Sequence, residues 1–451
     1  MAAMMPLLLL SRAIKAFIRL ATAVIPVKAA RKRIRQRLFS WLRAKELSKL
    51  VPLVRKRYEC HVEACRAKLA AGERLRVCFL VCDVSMFSAE PVYRVMLDDK
   101  RFAPFVAVVP RVTRGEKFMR ETLEKTLSVL SSRCRDVRSL YDPDAKRGRT
   151  LEGEADIVFT SIVYDDQTLE QYTALPLSRF ALVACIPYGY SGHLLVDIRR
   201  AVFLPQFAMF WRLFVANQST LSLWKEANPR LADALAVGGY PKMDRLAVTP
   251  MRTARPKTIL ICPHHTLERD GVGLSLSNFL QYAEFFLELP KEFPDIHFVF
   301  RPHPLLFPRL ATSAWWGEER TAAYRRAMSA LPNVEFQQGG DYFDVFVNSD
   351  AMIHDCGSFL AEYFYTGHPQ CYILRDRATL DREFTPFGKR LQDHVDHAFT
   401  REDIRDFVRK VASGAIDGRK QERQGFAERE VCLYHPHASE KVLEEIARSL
   451  A

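Results

Sequence analysis

Short apolar segments alternate with helix-like segments in two successive series, and this alternation constrains the fold more than any other feature of the chain. Predicted strands lie at 76–82, 105–109, 156–161, 180–186 and 214–217 in the first series and at 258–262, 297–300, 334–336 and 351–353 in the second. Continuous apolar strands separated by helices are typical of a parallel sheet covered on both faces. The sequence therefore predicts an α/β fold of two doubly wound, Rossmann-like domains facing a ligand-binding cleft.

The composition of the connecting segments indicates where the domains begin and end. The 451 residues are enough for two or three domains. Residues 249–257 are polar and contain proline, as linkers often do. We predict helices over 1–75, Rossmann-like domains over 76–248 and 258–415, and a helical segment over 416–451.

The positive charge of the chain is concentrated near its amino-terminal end. The formal net charge is +13, yet residues 1–76 hold 19 Lys and Arg against four Glu and no Asp, a net of +15. The other 375 residues therefore carry a net of about −2. A nearly neutral body without a nucleic-acid-reading motif argues against nucleic acid as a partner.

Residues 4–28 form a basic amphipathic pattern. At helical spacing the apolar side chains lie on one face, and Arg12, Lys15 and Arg19 lie on the other. The apolar run 4–10 is too short to span a bilayer, and the segment 31–57 is again basic with one apolar side. Such helices lie in the headgroup region of anionic membranes, so we predict that residues 1–57 attach the protein to a membrane surface. The alternatives are a cleaved signal peptide and a helix packed on the protein's own body.

The cysteines and the known metal and nucleotide motifs give little support to a metal or a cofactor. Ten dispersed cysteines include no CxxC pair, which we interpret as the reduced thiols of a cytoplasmic protein. No HExxH, P-loop or GxGxxG motif occurs. The sequence therefore predicts no metal site and no cofactor.

The segment 349–374 predicts a strand, a polar turn, a helix and a second strand. Gly357 lets backbone approach a ligand, Ser358 supplies a hydroxyl donor, and the first helical N–H groups point at an anion. Glu362 follows within reach of a ribose diol. An ordinary αβ turn, with Asp355 or Ser358 as the helix N-cap, is the alternative.

Three further loops follow predicted strands. The motif Arg-Pro-His-Pro at 301–304 offers Arg301 and His303 to a phosphate, although a rigid turn is the alternative. Gly239 and Lys242 close the first domain, either as a contact to ligand or as an interdomain hinge. His264, with its neighbour at 265, follows a buried strand and serves as a base, a phosphate contact or a structural group.

Four of these pieces occur in one order that resembles the CDP-glycerol glycerophosphotransferase family, the teichoic-acid primases and polymerases. They are Gly-Tyr-Pro-Lys-x-Asp at 239–244, the loop 262–266, the motif at 301–304 and the segment 349–373. The resemblance covers roughly residues 180–410 and is strongest at 349–373. There Asp350, Asp355, Ser358 and Pro369 match the family's pattern, Cys356 and Gly357 replace Tyr and Ser, and Glu362 stands where Asp is usual.

The resemblance implies a GT-B fold and a metal-independent transfer. A CDP-activated donor would give glycerol phosphate, or a related polyol phosphate, to a hydroxyl of a lipid-linked or cell-surface glycan at the cytoplasmic face of the inner membrane. The first domain would bind the acceptor and the second the donor nucleotide, with His303 steadying the leaving nucleotide. The nucleotide and its phosphates would contact Arg301, Asp355, Gly357, Ser358, Glu362, Gly239, Lys242 and His264.

One motif departs from the family. The family has a Trp-His-Gly-Thr motif, whose His is the proposed catalytic base. In this chain the corresponding residues are Pro-Tyr-Gly-Tyr at 187–190. A phenol with a pKa of about 10 is a poor base at neutral pH. The candidates for the base are therefore Tyr188, His193, Asp83 and His264.

The missing histidine favours an alternative reaction on the same fold. In this alternative, a GT-B glycosyltransferase uses a nucleotide sugar in capsule or lipopolysaccharide synthesis. A non-catalytic membrane scaffold with a degenerate transferase fold is the third hypothesis.

Overall fold

The computed structural model describes residues 28–199, 204–253, 255–267, 274–414 and 417–451, with single positions at 14, 17, 18, 20–22 and 202. Within 28–48, the side chains described are those of Ile34 and Leu38. Most of the predicted amphipathic helix at 4–28 lies outside the described residues.

The first domain is built on a parallel sheet of seven strands in the order β3-β2-β1-β6-β7-β8-β9. Its strands, with the antiparallel ribbon β4–β5, are β1 (Leu75–Val81), β2 (Phe102–Val108), β3 (Val137–Ser139), β4 (Tyr141–Asp142), β5 (Arg147–Gly148), β6 (Ile157–Thr160), β7 (Leu182–Cys185), β8 (Arg212–Val215) and β9 (Leu235–Val237). The fully buried β6 and β7 lie in the middle of the sheet, as their continuous apolar sequences require.

The second domain has a parallel sheet of six strands in the order β12-β11-β10-β13-β14-β15. The strands are β10 (Thr258–Cys262), β11 (His297–Phe300), β12 (Val334–Phe336), β13 (Ala351–His354), β14 (Gln370–Ile373) and β15 (Asp396–Ala398). The central β10 and β13 are buried along their whole length. These two sheets confirm the predicted α/β fold of two Rossmann-like domains.

Helices cover both sheets. Those that precede the second sheet are α1 (Lys28–Ala70), α2 (Glu90–Leu97), α3 (Glu116–Arg133), α4 (Ala174–Leu177), α5 (Leu195–Arg199), α6 (Gln218–Ala227) and α7 (Asp244–Ala247). The others are α8 (Phe279–Glu292), α9 (Leu306–Leu310), α10 (Gly317–Ser329), α11 (Phe343–Val347), α12 (Gly357–Glu362), α13 (Ala378–Glu383), α14 (Pro386–Asp393), α15 (Arg401–Ser413), α16 (Lys420–Phe426) and α17 (Ala438–Leu450).

The last helix, α17, returns to the first domain. Val442, Ile446 and Leu450 belong to the hydrophobic core of that domain. The Asp244 carboxylate accepts hydrogen bonds from the backbone N–H groups of Ala438 at 3.3 Å and Ser439 at 2.7 Å, which satisfies the start of α17. The chain therefore crosses between the domains a second time.

The carboxyl half of α1 packs on the first domain. Val54 and Tyr58 are 0% and 2% exposed, and the Tyr58 hydroxyl donates to the Met209 carbonyl at 2.6 Å. From Leu50 onward, then, the helix is part of the protein's own body, which is one of the alternatives for the basic segment. Of the helices in the described ranges, none has the combination of length and apolar character that crossing a bilayer requires.

Candidate functional site

The loops at the carboxyl ends of the two sheets meet between the domains. A Cβ atom placed on Gly189, in the loop after β7, would lie 2.9 Å from the Ser358 Oγ at the start of α12. The Arg245 guanidinium pairs with Asp341 at 2.5 Å, joining α7 to the loop after β12. The loops that carry most of the predicted site residues therefore meet between the domains, and we call this meeting region the interdomain cleft.

Three histidines from the second domain come together on one side of this cleft. His264 and His265 follow β10, and His303 follows β11, its parallel neighbour in the sheet. One nitrogen from each ring lies within 4.8 Å of the other two. The rings of His265 and His303 stack with centroids 4.0 Å apart. We call these three residues the histidine cluster.

The hydrogen bonds of the histidine cluster fix two of its tautomers. The Leu305 backbone N–H donates to His303 Nδ1 at 3.1 Å. The Thr266 backbone N–H lies 3.4 Å from His264 Nδ1, and the Thr266 hydroxyl lies 2.9 Å from it. When Nδ1 of a neutral imidazole accepts a hydrogen bond, the ring proton lies on Nε2. Nε2 then donates a hydrogen bond and has no lone pair for a metal ion. This donor set favours an anion over a metal ion.

The charges of guanidinium groups from both domains act on the histidine cluster. Burial, the neighbouring His265 and the positive charges of Arg114, Arg309 and Arg111 together lower the pKa of His303 to about 3. Burial and the charges of Arg309 and Arg114 likewise lower the pKa of His265 to about 4. The rings are therefore neutral at pH 7 and lie in a positive environment, which suits a phosphate or diphosphate.

The three arginines were not among the predicted site residues. Arg111 and Arg114 follow β2 in the first domain, where the Arg111 guanidinium donates to Asp83 at 2.6 Å. Arg309 lies in α9 and donates to the His265 carbonyl at 3.4 Å. The position of Arg111 just after a predicted strand is a signal that sequence reasoning had available. Nothing local in the sequence indicates that it faces histidines of the other domain.

The start of α12 is organised around Asp355 and Gly357. The Asp355 carboxylate accepts the backbone N–H groups of His264 and Asn278, each at 2.6 Å, and burial raises its pKa to about 6. Because both oxygens are engaged, Asp355 positions the His264 loop. A Cβ on Gly357 would lie 2.9 Å from Leu194 Cδ1, so this glycine permits close approach of the first-domain loop. The helical stretch continues as a 3-10 helix to Thr366.

Glu362 is buried between the domains and already has partners. It accepts the Tyr240 hydroxyl at 3.2 Å and the Tyr342 hydroxyl at 2.5 Å. Lys242 Nζ lies 5.0 Å above the Tyr342 ring and donates to the Tyr188 carbonyl at 3.1 Å. Burial lowers the pKa of Lys242, and the Glu362 charge opposes that shift. A ribose diol would have to replace the tyrosine hydroxyls, so the predicted ribose contact stays a prediction.

Arg301 and Gly239 face protein groups in this structure. The Arg301 guanidinium donates to Gln337 Oε1 at 2.6 Å and to the Gly340 carbonyl at 2.7 Å, which holds the loop carrying Tyr342. Gly239 has a φ of +72°, and a Cβ there would lie 2.5 Å from the Leu433 carbonyl oxygen. Packing against the carboxyl-terminal segment therefore requires a residue without a side chain that adopts positive φ, which is glycine at position 239.

Tyr188 and His193 lie on the first-domain side. His193 is 1% exposed, and its ring nitrogens make no well-formed hydrogen bond, although the Gly357 backbone N–H acts on the ring. Burial lowers the pKa of His193 to about 4 and raises that of Tyr188 above 10. The imidazole is thus neutral and enclosed, whereas Tyr188 is partly exposed.

A surface cavity of about 640 Å³ lies away from this cleft, at the amino-terminal edge of the second sheet. Its arginines are paired: Arg255 with Asp350 at 2.5 Å and Arg252 with Asp344 at 2.7 Å. These carboxylates neutralise the local charge. In the interdomain cleft Asp83 likewise pairs with Arg111, but Arg114 adds a further positive charge beside the histidine cluster, so we place the functional site there.

Comparison with known proteins gives the fold. Neither a family model nor a curated protein sequence matches the chain. A putative UDP-N-acetylglucosamine 2-epimerase from Listeria monocytogenes aligns with a TM-score of 0.54 and 12% identity, covering 83% of this chain and 96% of that one. The UDP-GlcNAc 2-epimerase from Neisseria meningitidis bound to UDP-GlcNAc gives 0.51 and 15%, covering 83% and 100%.

A variant of the wall teichoic acid polymerase TagF is also similar. It aligns with a TM-score of 0.52 and 13% identity, covering 92% of this chain and 98% of that one. At such identities the similarity shows the fold alone. The chain thus has the GT-B architecture shared by these structures, which confirms the predicted fold.

Binding of a diphosphate to the histidine cluster should take up protons. A bound diphosphate raises the pKa of His303 from its value of about 3, so by linkage the affinity rises as the pH falls. For the predicted donor, CDP-glycerol, whose charge is constant over this range, we expect about threefold to tenfold tighter binding at pH 5 than at pH 8. Calorimetric titration of wild type and His303→Gln, with the exposed His437→Gln as control, measures this. If the affinity of His303→Gln depended on pH as that of wild type does, the binding of the diphosphate at His303 would be contradicted.

Proposed function

We propose that this protein transfers glycerol phosphate, or a related polyol phosphate, from a CDP-activated donor to a hydroxyl of a lipid-linked or cell-surface glycan. The observation that carries the proposal is the grouping of arginines from both domains around the histidine cluster. Arg111 and Arg114 come from the first domain, and Arg309, His265 and His303 from the second. A diphosphate in the cleft would neutralise this positive charge from both sides.

The same grouping suits the chemistry of the transfer. Phosphoryl transfer depends mainly on positioning and on electrostatic stabilisation of the charge on phosphate. The guanidinium groups would hold the diphosphate charge while the acceptor oxygen attacks in line. The His303 ring, whose Nδ1 is occupied by the Leu305 N–H, would donate to the departing nucleotide through Nε2.

Two further observations support this choice of donor. The segment 349–373 and the motif at 301–304 resemble the CDP-glycerol glycerophosphotransferases. Among the solved structures with the same fold, one is the TagF polymerase soaked with CDPG. The fold itself admits other donors, so the resemblance of the motifs carries the choice.

A nucleotide-sugar enzyme is the second candidate function. The epimerase structures from Listeria monocytogenes and Neisseria meningitidis share the fold, and the latter is bound to UDP-GlcNAc. Tyr188 in place of the family histidine is the sequence observation that favours this candidate. The arginines and histidines of the cleft suit the diphosphate of either donor.

The donor preference decides between the two functions. Purified protein incubated with CDP-glycerol and a lipid-linked glycan fraction is expected to release CMP, and His303→Ala should slow the release by about 10²-fold or more. His437→Ala, an exposed histidine in the same background, should leave the rate unchanged. In thermal-shift screening CDP should stabilise more than UDP or GDP, by up to about 2.7 kcal/mol at 100 times its dissociation constant.

Turnover of a nucleotide sugar with no CMP release from CDP-glycerol would overturn the proposed function. If His303→Ala and Glu362→Ala both keep full cellular function, the scaffold hypothesis replaces both enzymatic ones.

We also propose that the basic segment holds the enzyme peripherally at the cytoplasmic face of the inner membrane. Residues 1–48 contain 11 Lys and Arg and one Glu, and Ile34 and Leu38 are exposed on α1. Basic residues near an anionic membrane contribute about 1 kcal/mol each. A lipid-linked acceptor would then be presented at the same surface.

Removal of residues 1–48 should abolish salt-sensitive binding to anionic vesicles. The cut lies before Leu50 and Val54, which are core residues, so the truncated chain keeps its packing. Co-sedimentation with phosphatidylglycerol vesicles at low and high salt measures the effect, with phosphatidylcholine vesicles as control. Equal sedimentation of the full-length and truncated proteins would refute membrane attachment through this segment.

A further inference from the structure

A carboxylate that no sequence motif marks lies on the acceptor side of the cleft. Asp197 belongs to the short helix α5, which follows the loop carrying Tyr188 and His193. Its Oδ2 accepts the Gly192 backbone N–H at 2.8 Å, so the helix folds back on that loop. The Asp197 charge acts on the Tyr188 phenol, whose pKa burial has already raised. Asp197 and Tyr188 therefore lie in the same first-domain wall, on a helix and a loop that the Gly192 hydrogen bond joins.

Accessibility separates Asp197 from His193. A general base must reach the acceptor hydroxyl directly or through one water. His193 is 1% exposed, with its imidazole next to Gly357, whereas Asp197 is partly exposed. Asp197 thus combines contact with solvent and a surrounding of protein atoms, as a group lining a cleft does.

The pKa values of the three candidate bases, Asp197, His193 and Tyr188, also favour Asp197. Burial raises the pKa of Asp197 to about 6, although the backbone N–H groups of Gly192 and Leu194 oppose that shift. Burial lowers the pKa of His193 to about 4 and raises that of Tyr188 above 10. A general base works best with a pKa near the operating pH.

Among the residues that the structure describes, Tyr188 and Arg199 are titratable groups near Asp197. The Asp197 charge acts on the Tyr188 phenol in the neighbouring loop after β7. On its own helix, the Arg199 guanidinium donates to the Arg382 carbonyl at 3.4 Å, across the cleft.

The second domain holds the loop that carries this wall. The Thr385 backbone N–H donates to the His193 carbonyl at 3.0 Å, and its hydroxyl donates to the Gly192 carbonyl at 2.8 Å. Leu194 also forms a β-bridge with Phe384. Gly192 is thus bound to Asp197 on one side and to Thr385 of the second domain on the other, which fixes the carboxylate relative to that domain.

Building on the proposed transfer, we propose that Asp197 is the general base for the acceptor hydroxyl. The acceptor oxygen forms a bond to the phosphorus of the glycerol phosphate group as its proton passes to the Asp197 carboxylate. The bond from that phosphorus to the bridging oxygen breaks, and its electron pair leaves with CMP. Tyr188, beside the carboxylate, orients the acceptor by hydrogen bonding.

Asp197→Asn tests this assignment while keeping the size of the side chain and an oxygen for the Gly192 N–H. Wild-type CMP release should rise with pH through about 6, since the base must be ionised. Asp197→Asn should lower kcat by about 10²-fold to 10⁴-fold and remove this rise. The Kd for CDP should change by less than about twofold, because the donor side is untouched. Asp233→Asn, an exposed first-domain acid, is the matched control.

Asp197→Glu separates catalysis from structure. It keeps an ionisable group and should retain both part of the activity and the rise with pH, which a merely structural role does not require. If wild type releases CMP, and Asp197→Asn keeps a kcat within threefold of wild type with the same pH profile, the assignment of Asp197 is overturned while the proposed function stands. No CMP release by wild type would overturn the proposed function, and this assignment with it.

Discussion

The concentration of positive charge between the two domains is the constraint on which the rest of this account depends. Arg111 and Arg114 from one domain and Arg309 from the other act on the half-buried His303. Arg114 and Arg309 also act on His265. Like charges held near one another in a protein repel more strongly than in water, because the effective dielectric constant there is about 20 and not 80. Additional charge on the imidazoles would add to that repulsion, so burial and the arginines together keep them neutral. Binding of a polyanion would relieve the repulsion between these positive charges.

Buried hydrogen bonds hold the walls of this site. Asp355 fixes the His264 loop through two backbone amides, and Glu362 joins the Tyr240 and Tyr342 hydroxyls across the interface. A buried carboxylate that loses such partners is costly, so these groups are held firmly. Both residues had been predicted to contact the nucleotide. In this structure the Asp355 carboxylate holds the loop of the histidine that follows β10, and Glu362 would meet a ribose only if the tyrosines moved, so both nucleotide contacts stay predictions.

The sequence predicts the parts of the fold that have a strong local signal. Continuous apolar runs mark β1, β6, β7, β10 and β13 because these strands are buried on both faces. The short edge strands β3 and β15 escaped prediction, since Val-Arg-Ser and Asp-His-Ala have no apolar run. Strand-end loops likewise indicated His264, His303 and Ser358 as cleft residues. The contacts of Arg111 with Asp83 and of Arg309 with the His265 carbonyl join segments far apart in the chain, which leave no periodic pattern in the sequence.

The central claim is that one diphosphate contacts both domains at the arginines and histidines of the cleft. A double-mutant cycle on CDP affinity, with Arg114→Ala in the first domain and His303→Ala in the second, tests it most directly. If both side chains bind the same diphosphate, the two losses should be non-additive by about 0.5–3 kcal/mol. Losses that add within about 0.3 kcal/mol, or a Kd unchanged in either single variant, would contradict the claim.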